Sequence, residues 1–216
     1  MSSSTLQPRK KENQLIIAFT GPSTSGKSSI INELKKKRFQ SLKNDITTIP
    51  MEYFFKEDAP TININGRSIP NLDLKESIYW DDFFECISEA EEPIVFIDGF
   101  IAFADKRTYD FADVCVALEY NIETDFNIAL DRRVHRHGKF KGIEIPDDFI
   151  SSSSNKPIYN VCKYFHQCVW AEMVKHPEYR MPQNWEKPLL VLSATNDFND
   201  NVNKTVDFLK PHFKLH

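Results

Sequence analysis

The run from Gln14 to Leu34, QLIIAFTGPSTSGKSSIINEL, constrains what this chain can fold into more than any other stretch. Its first third is apolar without alternation, the pattern of a strand buried on both faces. Its last third carries Ile30, Ile31 and Leu34 at helical spacing. Between them, Gly21 to Ser28 fits G-x-x-x-x-G-K-S. In such a strand-to-helix loop, backbone N–H groups surround a polyphosphate and the lysine reaches its terminal phosphates. Gly21 lets the strand turn sharply and Gly26 lets the backbone approach phosphate oxygens, because glycine takes positive φ at little steric cost. The candidate nucleotide contacts are Gly21, Ser23, Thr24, Ser25, Gly26, Lys27, Ser28 and Ser29. Lys27 supplies a point charge and the Ser28 hydroxyl a ligand for Mg²⁺. A surface turn matching by chance is the bland alternative; the flanking strand and helix, which the spacing alone does not demand, argue against it.

Size and charge narrow the remaining options. A chain of 216 residues with 41% hydrophobic content can bury one substantial core, so residues 14–216 read as one α/β domain and residues 1–13 as a disordered polar tail. Net charge is −4, which gives no global attraction to nucleic acid or to an anionic membrane. The longest apolar run, Ile94 to Ala104, is interrupted by Asp98 and too short to span a bilayer. The expectation is a soluble, cytoplasmic monomer with a small-molecule partner. Cys86, Cys115, Cys162 and Cys168 show no metal-ligand spacing and read as buried free thiols. His135 and His137 are two apart, so a metal site there is not expected.

Along the chain, strand and helix patterns alternate, which predicts a parallel sheet covered by helices on both faces. A short β-branched strand over 45–50 leads into Met51-Glu-Tyr-Phe-Phe-Lys56, placing Glu52 at a strand's carboxyl end, where parallel sheets bind ligands. An exposed loop carboxylate is the alternative for Glu52, and Phe54 and Phe55 read as core. Residues 61–70 read as a flexible loop. Residues 71–77 are expected to open a helix running to about Ala90, with Asp73 near its start as a cap or as a site residue. Pro93 to Phe100 is the clearest further strand, and Asp98 near its end is placed to act on Mg²⁺. A strand over 113–119 and a helix from about Glu123 precede Arg132, Arg133 and Arg136, which share one helical side. These arginines form either a solvated face or a lid, over about 132–157, that neutralises charge in phosphoryl transfer. Residues 142–157 read as a mobile serine-rich loop, 158–175 as a long helix whose Tyr164 is packing, and 176–187 as irregular. A last strand begins at Leu189, and a terminal helix is stopped by Pro211.

With these residues assembled, the chain resembles the nicotinamide riboside kinases, within the P-loop nucleoside kinases that include uridine kinase. The resemblance runs from Leu15 to about Leu209. It rests on the phosphate loop, Glu52 before Phe54-Phe55-Lys56, Asn71-Leu72-Asp73, Ile97-Asp98-Gly99-Phe100 and the arginine run. It implies transfer of the γ-phosphate of ATP, with Mg²⁺, to the 5′-hydroxyl of a riboside, nicotinamide riboside first. Glu52 then corresponds to the acid that activates the hydroxyl, with a share in the metal site formed by Ser28 and Asp98. Asp73 corresponds to the carboxylate on the ribose hydroxyls; Phe55 and Leu72 join it as substrate contacts, and Lys27 and the three arginines serve transfer. The chain has Glu52-Tyr53 where relatives carry Asp-Asp, Leu72 where they carry a stacking aromatic, and Gly138, with Phe140 nearby, where they carry a second. A uridine or cytidine kinase and a degenerate nucleotide-binding interaction module are the alternatives. A GTPase fits less well, because Asn155-Lys156-Pro157-Ile158 lacks the acid of a guanine-reading N-K-x-D.

Overall fold

The structure is a computed structural model that describes residues 10–213. In chain order the strands are Leu15–Thr20 (β1), Ile46–Pro50 (β2), Thr61–Ile64 (β3), Arg67–Pro70 (β4), Ile94–Gly99 (β5), Val114–Glu119 (β6) and Leu189–Ser193 (β7). The α-helices are Lys27–Glu33 (α1), Trp80–Glu89 (α2), Arg107–Phe111 (α3), Phe126–Val134 (α4), Pro157–Tyr164 (α5), Ala171–Lys175 (α6) and Phe198–Phe213 (α7).

β1 is buried along its whole length, which requires a strand on each side and a covered face above and below. It pairs in parallel with β5 and β6, and the sheet runs β2-β5-β1-β6-β7, parallel throughout. Successive β1 side chains enter opposite layers, as the two-residue period of a strand demands. Leu15, Ile17 and Phe19 meet Ile30 and Leu34 of the first helix and Val202 and Leu209 of α7. Ile16 and Ala18 meet Phe83, Phe84 and Ile87 of α2. A third cluster, with Leu130, Phe165 and Val169, joins α4 to the long helix after it. That helix is α5 and α6 linked by a wide π turn, Phe165–Trp170, so the expected run over 158–175 is continuous but bulged.

Four expectations need correction. Of the tail over 1–13, residues 1–9 lie outside the described residues, whereas Lys10 pairs with Asp113 and Lys11 Nζ donates to Ala90 O at 2.7 Å. Lys11 thus covers the carbonyl end of α2, with a second bond to Glu89 O at 3.2 Å. Residues 61–70 are an antiparallel hairpin, β3–β4, because Asn65 (φ 52°) and Gly66 (φ 80°) both accept the left-handed backbone of a two-residue turn. The helix expected from 71 begins only at Trp80, after a 3₁₀ turn over Lys75–Ser77, so Asp73 does not cap it. Pro211 does not end α7; the helix runs to Phe213, whose ring meets Phe39 edge-on at 4.6 Å and holds the last turn. All four cysteines are free, and among the described residues no helix is long and apolar enough to cross a membrane.

Candidate active site

The loop after β1 turns back beside β6 so closely that a Cβ on Gly21 would lie 2.1 Å from Leu118 O. Only glycine fits there, and its φ of 131° suits no other residue. Gly26, at φ 104°, starts α1. Thr24 also takes positive φ, 72°, and this strained residue is held by Tyr120, whose hydroxyl donates to Thr24 O at 2.8 Å. Lys27 is 7% exposed and its Nζ donates to Gly21 O at 2.7 Å and Pro22 O at 3.0 Å. Burial pulls its pKa down to about 8, against the pull of Asp98 and with the push of Arg180 and Arg136. Buried Ser25 Oγ has no protein partner. A cradle that admits no Cβ, an inward lysine and an unpaired hydroxyl fit a polyphosphate.

Sheet register brings the carboxylates to this loop. Asp98, near the end of β5, lies opposite Phe19 of β1 and Pro50 of β2. Glu52 is exposed on the 3₁₀ turn Met51–Phe54 that follows Pro50. Ser28, Glu52 and Asp98, with Lys27 and Asp73, line one cavity of about 150 Å³. Among the described residues no three His, Cys, Asp or Glu side chains form a protein-only metal cluster. Two carboxylates and a hydroxyl instead suit Mg²⁺, which is held by one or two carboxylates together with phosphate oxygens and water.

The arginines do not act as one patch. Arg132 donates to Ala194 O at 2.7 Å and to the Tyr120 hydroxyl at 3.3 Å, at the edge of a second cavity of about 530 Å³. That cavity lies along Ser25, Gly26 and Ser29 and reaches Asn196. Arg133 faces the smaller cavity; it donates to Ser23 Oγ at 3.2 Å and stands 5.8 Å from the Tyr164 ring centroid. Arg136, on the 3₁₀ turn after α4, lines both. Lys27, Ser28 and Thr24 are also common to both, so the loop and its lysine divide the two cavities.

The far wall of the smaller cavity is built by Phe55, Leu72, Asp73, Phe100 and Tyr164. Phe54 is the core residue of its pair, edge-on to Phe83 at 5.3 Å, while Phe55 packs on Phe100 at 5.7 Å and reaches the cavity. Leu72 N–H donates to the Tyr164 hydroxyl at 3.1 Å. Tyr164, expected as packing, is therefore a wall residue with a polar handle, its hydroxyl pKa pushed up by burial and by Asp73. Phe140, the candidate substitute aromatic, packs on the cluster beneath α4 and α5 and does not line this cavity. Asp73 is 5% exposed and lies 3.7 Å from Arg180, itself 4% exposed. Burial raises the Asp73 pKa, and Arg180, then Arg133 and Lys27, oppose the rise. Neither Tyr164 nor Arg180 was singled out by motif or spacing, since each reaches the site from about a hundred residues away in the chain.

No protein-family model and no curated protein sequence matches the chain. Solved structures do share its fold. A protein from Silicibacter sp. TM1040 described as a fructose transport system kinase superposes with a TM-score of 0.53 at 15% identity, covering 87% of this chain and 93% of that one. A sugar kinase from Janibacter sp. HTCC2649 gives 0.50 at 10% identity, over 91% and 95% of the two chains. A gluconokinase from Sinorhizobium meliloti 1021 gives 0.50 at 14% identity, over 96% and 100%. The chain therefore has the parallel-sheet fold of P-loop kinases.

Proposed function

We propose that this protein is an ATP- and Mg²⁺-dependent kinase that phosphorylates a hydroxyl of a small molecule, and that the acceptor is a riboside phosphorylated at its 5′-hydroxyl. The observation that carries this reading is the shared wall. Lys27 and Ser28 line a large cavity suited to a nucleotide and a small cavity that also holds Glu52, Asp73 and Asp98. A phosphoryl group at that wall is within reach of an acceptor on the far side. The kinase names of the fold neighbours agree with this class of chemistry.

Each residue then has a task. Lys27 binds the terminal phosphates, leaving its carbonyl partners on the loop for them. Ser28, Asp98 and Glu52 would hold the metal, which when bound offsets charge on the phosphate oxygens. Glu52 also orients the acceptor hydroxyl and takes its proton as the oxygen attacks. Arg136, which lines both cavities, faces the position of the moving group, Arg133 borders the acceptor side and Arg132 steadies the nucleotide. Asp73 accepts hydrogen bonds from the ribose hydroxyls. Holding both partners in line is the main contribution, because little covalent chemistry is left to the protein.

Nicotinamide riboside is the first acceptor to test. A uridine or cytidine riboside is the second reading, favoured by Arg133 lying against Tyr164, since a guanidinium beside the aromatic wall repels a cationic pyridinium. ATP turnover with nicotinamide, nicotinic acid, uridine and cytidine ribosides, alongside gluconate and simple sugars, tests both. Turnover of a sugar or sugar acid in preference to every riboside would overturn the riboside assignment. Nucleotide binding without any product would favour an interaction module.

A further inference from the structure

The acceptor end of the site contains a buried arginine that the transfer chemistry does not use. Arg180 follows the 3₁₀ turn Pro177–Tyr179 in the segment between α6 and β7. Its NH1 donates to Glu172 O and His176 O, both at 3.3 Å, which fixes one edge of the guanidinium. The other edge faces Asp73, with NH2 3.7 Å from Oδ1. That gap is too long for a hydrogen bond. Asp73 Oδ1 and Arg180 Nε and NH2 have no hydrogen-bond partner, although all are buried.

The backbone around Asp73 is tied down independently. Asp73 N–H donates to Asn71 Oδ1 at 3.2 Å, Ser77 Oγ donates to Asn71 O at 2.6 Å, and Leu72 N–H is held by Tyr164. The carboxylate and the guanidinium edge that faces it are left incomplete, and Asp73 lines the acceptor cavity. A buried pair kept for stability alone closes into direct hydrogen bonds, because otherwise the desolvation of both charges is not offset. An unclosed pair beside a cavity leaves bonding capacity for a ligand.

We propose that Arg180 is the positioning residue for the acceptor: facing Oδ1, it fixes the Asp73 carboxylate so that the cavity side of that carboxylate receives a substrate hydroxyl, and thereby sets the preference for a vicinal diol. This rests on the riboside-kinase reading for the identity of the diol, but not for the Arg180–Asp73 coupling itself. The charged groups facing Asp73 are Arg180, Arg133, Lys27 and Glu172. The nearby Tyr164 hydroxyl and Cys168 thiol are pushed upward by burial and stay neutral through the acid range. Burial favours the protonated form of Asp73, which would donate where the diol needs an acceptor, and Arg180 is the foremost group working against that.

The test has two arms. Titration of the Asp73 carboxyl by ¹³C NMR, assigned by its loss in Asp73→Asn, needs no acceptor. Arg180→Met should move it upward by about one unit or more, and Arg180→Lys by less. In the kinetic arm, Arg180→Met should raise the acceptor KM about tenfold or more with kcat and the KM for ATP little changed. The preference for the riboside over its 2′-deoxy analogue should collapse with it. A titration unmoved in Arg180→Met, or an unchanged acceptor KM in the folded variant, overturns the proposal. If that variant does not fold, Arg180→Lys decides: it keeps the charge but loses the planar fork, so the acceptor KM should still rise, and an unchanged KM overturns the role. Failure of the wild-type enzyme to phosphorylate any riboside would refute the riboside reading, and the NMR arm would still decide the coupling.

Discussion

Replacing Gly21 by alanine isolates the contribution of loop geometry from that of loop chemistry. The added Cβ would stand 2.1 Å from Leu118 O and 3.1 Å from its carbonyl carbon, and these are backbone atoms of β6 that cannot rotate away. The loop must retreat by about 1 Å to restore ordinary contact. It must also bear alanine at a φ of 131°, a strain of about 1–3 kcal/mol. Two controls separate the terms. At Gly26, φ 104°, the new Cβ meets only Leu118 Cδ2 at 3.8 Å, and at Gly66, φ 80°, it meets nothing within 4 Å. Gly66→Ala should therefore cost only strain, about 1–2 kcal/mol in a urea melt, with ATP affinity intact. Gly21→Ala should cost more stability, and displacement of a phosphate cradle by about 1 Å should lower kcat about a hundredfold. Equal stability losses for Gly21→Ala and Gly66→Ala, with turnover preserved in both, would refute the claim that the β6 carbonyl dictates glycine here.

Lys27→Ala should abolish transfer, and wild-type turnover in that variant would remove the loop from the chemistry. Glu52→Gln should lower kcat by about 10²- to 10⁴-fold with ATP affinity little changed; an unchanged kcat at saturating acceptor would return Glu52 to an exposed loop carboxylate. The depressed pKa of Lys27 sets a pH signature for the ligand-free protein. The folded state binds its proton less tightly than the unfolded chain, so the cost of burying the charge is full below about pH 8 and is relieved as pH rises toward 10.5. The difference in melting temperature between Lys27→Met and wild type should thus shift in favour of wild type across that window, and a difference constant from pH 7 to 10.5 would contradict the burial.

What was legible in the sequence was chemistry that needs consecutive residues. Gly21 through Ser28 must be contiguous to wrap a phosphate, and Asp98 sits where an unbroken apolar run ends, so both stood out from spacing and pattern. The Asn65-Gly66 hairpin was legible in principle, since Thr61 to Ile64 alternates, yet each flank is only four residues long and Arg67 and Ser68 are consecutive polar, exposed positions, too little pattern to register as strands. Asp73 was marked by its place near an expected helix start, where a cap and a site residue look alike, and it took a task only through a resemblance. Its partner Arg180 lies in a proline-punctuated stretch that reads as irregular, and only the folding of that stretch against α6 delivers the guanidinium to the carboxylate. Tyr164 failed to register for another reason: on an aromatic-rich amphipathic helix, nothing distinguishes the ring that faces a cavity from those that face the core.

The arginine run shows where helical spacing informs and where it stops. Consecutive positions on a helix diverge by about 100°, so Arg132 and Arg133 cannot address the same ligand group even though both border the loop. Arg132 turns to Ala194 and the larger cavity, Arg133 to Ser23 and the smaller one. Arg136 lies beyond the end of the helix, on the 3₁₀ turn that follows, and lines both cavities. Single alanine substitutions should follow this division. Arg132→Ala should raise the KM for ATP, Arg133→Ala the KM for the acceptor, and Arg136→Ala should lower kcat, because its position spans the path of the phosphoryl group. Steady-state kinetics with each substrate varied in turn would read all three. Equal effects of Arg132→Ala and Arg133→Ala on both KM values would mean that the two cavities are not separate binding sites, and the assignment of nucleotide and acceptor to opposite sides of Lys27 would fall with it.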